Sequence, residues 1–423
     1  MTEKYDVVVA GGGSAGVAAA VAASRTGART LLLERGPCLG GAATLRNVLT
    51  YCGIYTREDP PRQVVFGIAD EVLAALRAEG AVSSPQRFNG VCVVFDPEPV
   101  KRVLDSLCAD AGVDVRLHSH VAGAERDREH GRVTGLRVAG HRGIAEVTAD
   151  AFVDATGEAD LAAFAGAGVR YGTDGMVQNG SLGVRFGGIP PHVDVSRARV
   201  TAAVHAARER GVSPLVSAHG LVARLPVSGD VIAYIVDEAY DARDAADVSR
   251  AEASARVQAR AYLEAIRSLP GAEGAYIVST GPELGTRESR HIIARYRLSA
   301  DEVLGAARFE DAVAVGAWPV EYHPAPGVPS QWHFIEGDGY FEIPLGSLWS
   351  ADTENLFAAG RNVDGDRLAG GSVRVMGTAF ATGQAAGVAA ALVARDGAGL
   401  LSTADVRTEL FRQGAVLPEP ALI

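Results

Sequence analysis

Gly11, Gly13 and Gly16 occupy the three glycine places of G-x-G-x-x-G in Gly11-Gly12-Gly13-Ser14-Ala15-Gly16, and Glu34 follows eighteen residues after the last of them. The first glycine allows a tight turn, the second lets backbone approach a pyrophosphate, and the third lets a helix lie close on a sheet. Ser14 and Ala15 stand where that helix begins, and its N-terminus offers free N–H groups and partial positive charge to the pyrophosphate. Glu34, at the end of a second strand with Arg35 beside it, can accept both hydroxyls of an adenosine ribose. A glycine-rich turn alone is weak evidence. Strand, glycines, helix, strand and terminal acid in this order predict dinucleotide binding.

The elements that must position these groups can be read around them. Asp6-Val7-Val8-Val9 is a β-branched run predicted as a strand buried on both faces. An Ala/Val helix follows to about Thr26, and residues 30–33 form the second apolar strand. Gly40-Gly41-Ala42-Ala43-Thr44 fits backbone lying flat against a ligand. Asp96-Pro97 starts a helix as N-cap and first position. Residues 132–138 and 145–148 read as a hairpin. Residues 151–154 form another buried strand, and it ends in Ala155-Thr156-Gly157, where a second cofactor contact is expected. A last strand ends at Gly360 and Arg361, and one long helix is predicted over 374–395. Between them the pattern changes, with polar helical stretches at 196–211 and 244–268 alternating with strand-like runs. The expected organisation is α/β: a discontinuous Rossmann-like domain, 1-165 plus 345-400, an inserted α+β substrate or cap domain, 166-344, and a C-terminal tail, 401-423.

The chain has 423 residues, 48% of them hydrophobic and 22% charged, as expected of a soluble globular enzyme of two or three domains. A net charge of −11 without a Lys/Arg block argues against a nucleic-acid surface. The first strand starts after Met1-Thr2-Glu3-Lys4, which leaves no room for a signal or transit peptide. The apolar stretch 376–394 carries Thr378, Thr382 and Gln384 and reads as an interior helix, not a membrane span. Cys38, Cys52, Cys92 and Cys108 form no C-x-x-C pair and no metal-type spacing, so no metal is expected and a reduced cytoplasm fits. Cys92 and Cys108 read as small core residues.

GGGSAG…LLLERG, Val153-Asp154-Ala155-Thr156-Gly157 and Ala359-Gly360-Arg361 resemble the glutathione-reductase-like FAD fold. Gly285-Thr286-Arg287-Glu288-Ser289-Arg290-His291-Ile292, Pro319-Val320-Glu321-Tyr322-His323 and Gly371-Ser372-Val373-Arg374-Val375-Met376-Gly377-Thr378 resemble the FAD-dependent oxidoreductase family, whose relatives include heterodisulfide-reductase-like flavoproteins. The resemblance runs from Tyr5 to about Leu392. It implies FAD as cofactor, with Gly11, Gly13 and Gly16 on its pyrophosphate and Glu34 on its adenosine ribose. Gly41, Ala42 and Thr44 would lie beside the flavin, and Gly360 and Arg361 near the ribityl phosphate side. The helix start from Val373 to Gly377 would face the flavin pyrimidine edge, where N–H groups stabilise the negative charge of reduced flavin. Two positions depart from the family: His291 stands where Arg is usual, which bears on a substrate anion site, and Glu158 where Asp is usual, a mild change.

With FAD bound, the flavin carries the redox chemistry at N5 and the protein supplies a base. His323 is the leading candidate as base or substrate ligand, the alternative being a loop histidine bonded to backbone. Arg287 and Arg290 either clamp a substrate carboxylate or flavin edge, or form an ion-pair network joining the domains; His291 is grouped with them as site-lining. Arg374, at a predicted helix start that repels cations, calls for a bound anion or a protein carboxylate. Cys52 is the only cysteine in a site-facing segment, as a redox thiol or covalent flavin link against an inert lone cysteine. The missing C-x-x-C argues against disulfide reductase chemistry, and the missing cysteine cluster against an iron–sulfur centre. No second glycine signature marks an NAD(P)H domain. These readings converge on an FAD-dependent oxidoreductase that dehydrogenates, or reversibly reduces, a small organic metabolite by hydride transfer at flavin N5. The alternatives are a flavin electron-carrier subunit and a flavoprotein monooxygenase. Ala/Gly/Arg-rich usage fits bacterial specialised metabolism. The expected partners are a small-molecule substrate and an electron acceptor or donor; a homo-oligomer stays open.

Overall fold

The computed structural model describes residues 3–127 and 129–417, so Met1, Thr2, Arg128 and the end of the expected tail, 418–423, lie outside the described residues. Five strands run parallel in the order Asp114–Arg116, Thr30–Leu33, Glu3–Ala10, Gly143–Asp154 and Leu356–Ala358. Alternate side chains explain the apolar run 7–10 in the strand Glu3–Ala10. Val7 and Val9 join the core under the helices, whereas Val8 and Ala10 join the core on the opposite face.

The strands expected separately at 145–148 and 151–154 are one, Gly143–Asp154. One edge of it pairs with Glu3–Ala10 from Val147 to Asp154. Its other edge is shared, the outer half by the antiparallel strand Arg132–Gly140 and the inner half by Leu356–Ala358. Asp150, which breaks the apolar run in sequence, sits at the changeover and pairs with Lys4 at 3.3 Å.

The helix expected over 374–395 is present as Met376–Asp396, and a separate short helix that was not expected precedes it. Asp366 caps the helix Arg367–Val373, accepting from the N–H groups of Leu368 and Ala369 at 3.0 and 2.9 Å. Val375 is extended, and the second helix, Met376–Asp396, starts after it. By length and composition this helix could cross a membrane, but 94% of its apolar window is buried inside the protein. It lies parallel to Ser14–Arg25, with Gly383 on the Ala15 carbonyl and Gly387 on the Ala19 carbonyl, so close that a Cβ on either glycine would collide.

A four-stranded antiparallel sheet, ordered Val222–Arg224, Val231–Glu238, Gly180–Gly187, Tyr276–Thr280, forms the second unit with helices Arg197–Glu209 and Ala245–Arg267. Its own core draws on residues 182–284, narrower than the expected insertion. Leu298, Val313, Phe341 and Leu345 pack into the first core instead. Asp96 stands at the expected N-cap of Pro97–Asp110, but its carboxylate accepts from the Val227 N–H at 2.8 Å, binding the two units together rather than capping the helix.

Gly387→Ala is expected to cost about 1–3 kcal/mol through overpacking. The same change at Gly399, where a Cβ meets nothing, stays within about 0.5 kcal/mol. Urea midpoints at unchanged m-value measure both.

Candidate functional site

A cavity of about 580 Å³ opens at the C-terminal ends of the parallel strands and extends to the second unit. Its near end is made by the first turn. Gly11 has φ +98°, and its hydrogen occupies the place where a Cβ would strike the Ala155 carbonyl, so only glycine lets this turn close on the neighbouring strand end. Gly11, Gly13, Ser14, Ala15, Glu34 and Arg35 all line the cavity. Glu34 accepts from the N–H groups of Gly12 and Gly36, both at 2.6 Å, one on each carboxylate oxygen, which fixes the carboxylate in place.

Gly41, Ala42, Ala155, Thr156, Gly157, Gly360 and Arg361 line the middle. Asp154 organises this part without reaching the cavity. Its carboxylate accepts from the Thr156 N–H at 3.1 Å, the Thr156 hydroxyl at 2.7 Å, the Ala162 N–H at 2.9 Å and the Asn362 amide at 2.8 Å. Burial pushes its pKa up to about 6. Arg361 donates to the Gly157 carbonyl at 2.8 Å and to Glu158 at 2.5 Å. Arg46 adds a second cation near Glu158, at 3.8 Å, and Glu283, at 3.6 Å.

The far end holds a half-buried charge network. Arg287 donates to the Asn179 carbonyl at 2.8 Å and lies 3.8 Å from Asp237. Glu321 is the hub. Arg374 lies 3.2 Å from it, the Trp318 indole N–H donates to it at 3.2 Å, and His323 Nε2 is 3.1 Å away. Burial pushes the Glu321 carboxyl upward, but His323, Arg374 and Arg287 outweigh burial and hold it well below the usual carboxylate range. Burial, with the Arg287 guanidinium next, pushes the His323 imidazole down to about 4 against the opposing pull of Glu321. The carboxylate that Arg374 called for is therefore Glu321.

Six expected site residues lie outside the cavity lining. Gly16 packs on the Gly11 carbonyl, and the Thr44 hydroxyl donates to the Leu39 carbonyl at 2.7 Å. Val373 is buried in the core and Gly377 packs on the Cys52 carbonyl; Arg374, Val375 and Met376 line the cavity in their stead, because the helix begins at Met376. Arg290 pairs with Asp160 at 2.9 Å, so of the close arginine pair only Arg287 faces the cavity. His291 is 3% exposed, 2.9 Å from the Val363 carbonyl on Nδ1 and 3.5 Å from Glu288 on Nε2, sealed away from any substrate anion. Glu321 and Asp237 were missed from the sequence. The signal for Glu321 was present, since residues two apart on an extended segment share a face and Glu321 precedes His323 by two.

The near end fits a dinucleotide on its own geometry. Ser14 Oγ is buried with no partner, and a Cβ on Gly13 would meet no protein atom nearer than 3.8 Å although Gly13 lines the cavity. An orphaned hydroxyl and an open backbone face at a helix N-terminus are what a pyrophosphate requires. Ser14→Ala removes no protein hydrogen bond, so the unliganded protein should keep its Tm. Its dinucleotide Kd, read by fluorescence titration, should rise about tenfold or more, the worth of one hydrogen bond to a charged group.

The chain matches the family model described as FAD dependent oxidoreductase over residues 6–413. A digeranylgeranylglycerophospholipid reductase of Thermoplasma volcanium is 33% identical over 172 residues, 39% of this chain and 42% of that protein. The corresponding protein of Thermoplasma acidophilum is 32% identical over the same length and shares. The chain thus spans less than half the length of these curated relatives. A geranylgeranyl bacteriochlorophyll reductase-like crystal structure from Thermoplasma acidophilum is similar at TM-score 0.49 and 15% identity, over 98% of this chain and 85% of that one. On the match across nearly its full length, this chain belongs to the FAD dependent oxidoreductase family, an enzyme family whose cofactor is FAD.

Proposed function

We propose that this flavoenzyme exchanges a hydride with a small organic metabolite, as a dehydrogenase or in reverse as a reductase, and that His323 moves the accompanying proton. The observation that carries the reading is the half-buried Glu321–His323 pair, 3.1 Å apart in the cavity wall. Partial similarity to two proteins named as reductases supports the reductive direction. Bound FAD supplies two-electron chemistry at N5. Gly13 and Ser14 would hold its pyrophosphate, Glu34 its adenosine ribose, and the helix starting at Met376 its pyrimidine edge.

The chain's own part in the chemistry is proton handling. The imidazole is neutral at pH 7 because its pKa lies near 4. Glu321 takes one ring nitrogen, fixes the ring's orientation and leaves the other nitrogen for substrate. Once the imidazole gains a proton, the adjacent carboxylate stabilises the cation. Arg287 and Arg374, both half-buried, orient polar substrate groups and hold Glu321 ionised.

Anaerobic mixing of the holoenzyme with a panel of hydroxy, amino and enoyl compounds should find one that bleaches, or after reduction restores, the flavin absorbance. With that compound, His323→Ala should slow the flavin change by about 10²–10⁴-fold. In the dehydrogenating direction His323 must start unprotonated, so there the wild-type rate should stay level through neutral pH and fall only toward about 4. An inflection near 6.5, the ordinary imidazole value, or an unchanged rate in His323→Ala, would remove His323 from the reaction.

A further inference from the structure

Cys52 and Cys92 are forty residues apart in sequence. They meet across the antiparallel strands Thr50–Cys52 and Val91–Val94, with their Cα atoms in register. The ladder decides what kind of pair they form. The Phe95 N–H donates to the Leu49 carbonyl at 3.1 Å, so residues 49 and 95 face each other as a hydrogen-bonded pair. Bonded and non-bonded pairs alternate along an antiparallel ladder, which makes 51 and 93 a bonded pair and Cys52 and Cys92 a non-bonded one. The strand Gln86–Arg87, on the other side, gives the same phase. There the Phe88 N–H donates to the Gly90 carbonyl at 2.8 Å, so Cys92 turns its own N–H and C=O toward Gln86 and away from Cys52.

Non-bonded pairs are the closer kind, with Cα atoms about 4.5 Å apart. That lies within the roughly 4.4–6.8 Å a disulfide spans. Both side chains are on one face of the sheet, clustered with Trp318 and Val375. Cys52 lines the cavity, and Cys92 is fully buried behind it. Both are free thiols.

We propose that Cys52 and Cys92 are a reversible dithiol–disulfide couple in the cavity wall, with Cys52 the entry sulfur and Cys92 the resolving one. The oxidant is a low-molecular-weight disulfide. The Cys52 thiolate attacks it, releasing one small thiol and leaving a mixed disulfide on Cys52. Cys92, its buried thiol passing its proton to the departing thiolate, then attacks the Cys52 sulfur and expels the second small thiol. Two protein thiols become one disulfide while the small disulfide becomes two thiols, and excess small thiol runs the exchange backwards. Access fixes the order, because only Cys52 borders the cavity. Gly53, next in the chain, packs on Val375 and Thr378 at the start of the long helix. The bridge therefore stiffens the wall against which that helix begins. The couple is independent of which metabolite the enzyme uses.

The test uses the FAD-loaded enzyme with the half-buried Cys38 changed to Ser, treated with oxidised glutathione, quenched with an alkylating reagent and mapped by peptide mass. The expected product joins the Cys52 and Cys92 peptides with two hydrogens lost, and reduced glutathione returns both thiols. Adding Cys92→Ser should leave glutathione trapped on Cys52, and adding Cys52→Ser instead should leave Cys92 unmodified until the protein is unfolded. Recovery of both cysteines as free thiols after oxidant, or glutathione held on Cys52 while Cys92 is present, would overturn the couple. Glutathione on Cys92 in the Cys52→Ser protein would overturn the assigned order.

Discussion

The site depends on two parallel helices touching backbone to backbone. Ser14–Arg25 presents Ala15 and Ala19, and Met376–Asp396 answers with Gly383 and Gly387, one turn apart on each. Alanine and glycine lose almost no side-chain entropy when buried, and their smallness lets whole peptide groups pack at contact distance. Since the helices run the same way, both N-termini open on the same cavity, one beside Ser14 and the other beside Met376. The parallel strands deliver their C-terminal ends to that cavity as well, through Gly11, Glu34, Ala155 and Gly360. A fold that brings positive helix ends and strand-end loops together in this way has a built-in polarity for an anionic cofactor.

Burying charge is costly, and the middle and far end of the cavity half-bury a good deal of it. Arg287, Arg361 and Arg374 each have a carboxylate partner, Asp237, Glu158 and Glu321. Ion pairs of this kind rarely stabilise a fold more than apolar packing would, while removing one partner leaves a charge stranded. Their place in the cavity wall is thus better understood as a cost accepted for chemistry. Arg290 makes the contrast, since its pairing with Asp160 lies off the cavity and serves to hold the turn after Asp154 against the strand Arg290–Ile292.

What was legible in the sequence was local. The strand, glycine turn, helix and Glu34 lie within one βαβ unit, so their spacing alone fixed their arrangement. What was hidden depended on contacts between distant segments. The Asp96 carboxylate had every mark of a helix cap, and tertiary contact drew it to Val227. The short helix Arg367–Val373 is masked by Gly370-Gly371-Ser372, poor helix formers that read as a loop. Arg287 and Arg290 look equivalent in TRESR, yet one faces the cavity and the other the first unit, because the chain enters a strand between them. Cys52 and Cys92 carry no sequence signature at all, since a cross-strand register joins them and no fixed spacing does.

His323 shows how opposing effects of similar kind resolve into a usable group. Glu321 alone would raise its pKa and make it a standing cation, whereas burial and Arg287 lower it, and the lowering wins. A solvated histidine beside a carboxylate would be half charged near neutrality and would waste part of its population as the wrong protonation state. Here the imidazole starts neutral and keeps beside it the carboxylate that favours the protonated form once it arises. In the role proposed for it, His323 is a base that is charged only while the proton is on it, which is the condition under which a histidine of low basicity still serves a proton transfer made downhill by charge leaving the substrate.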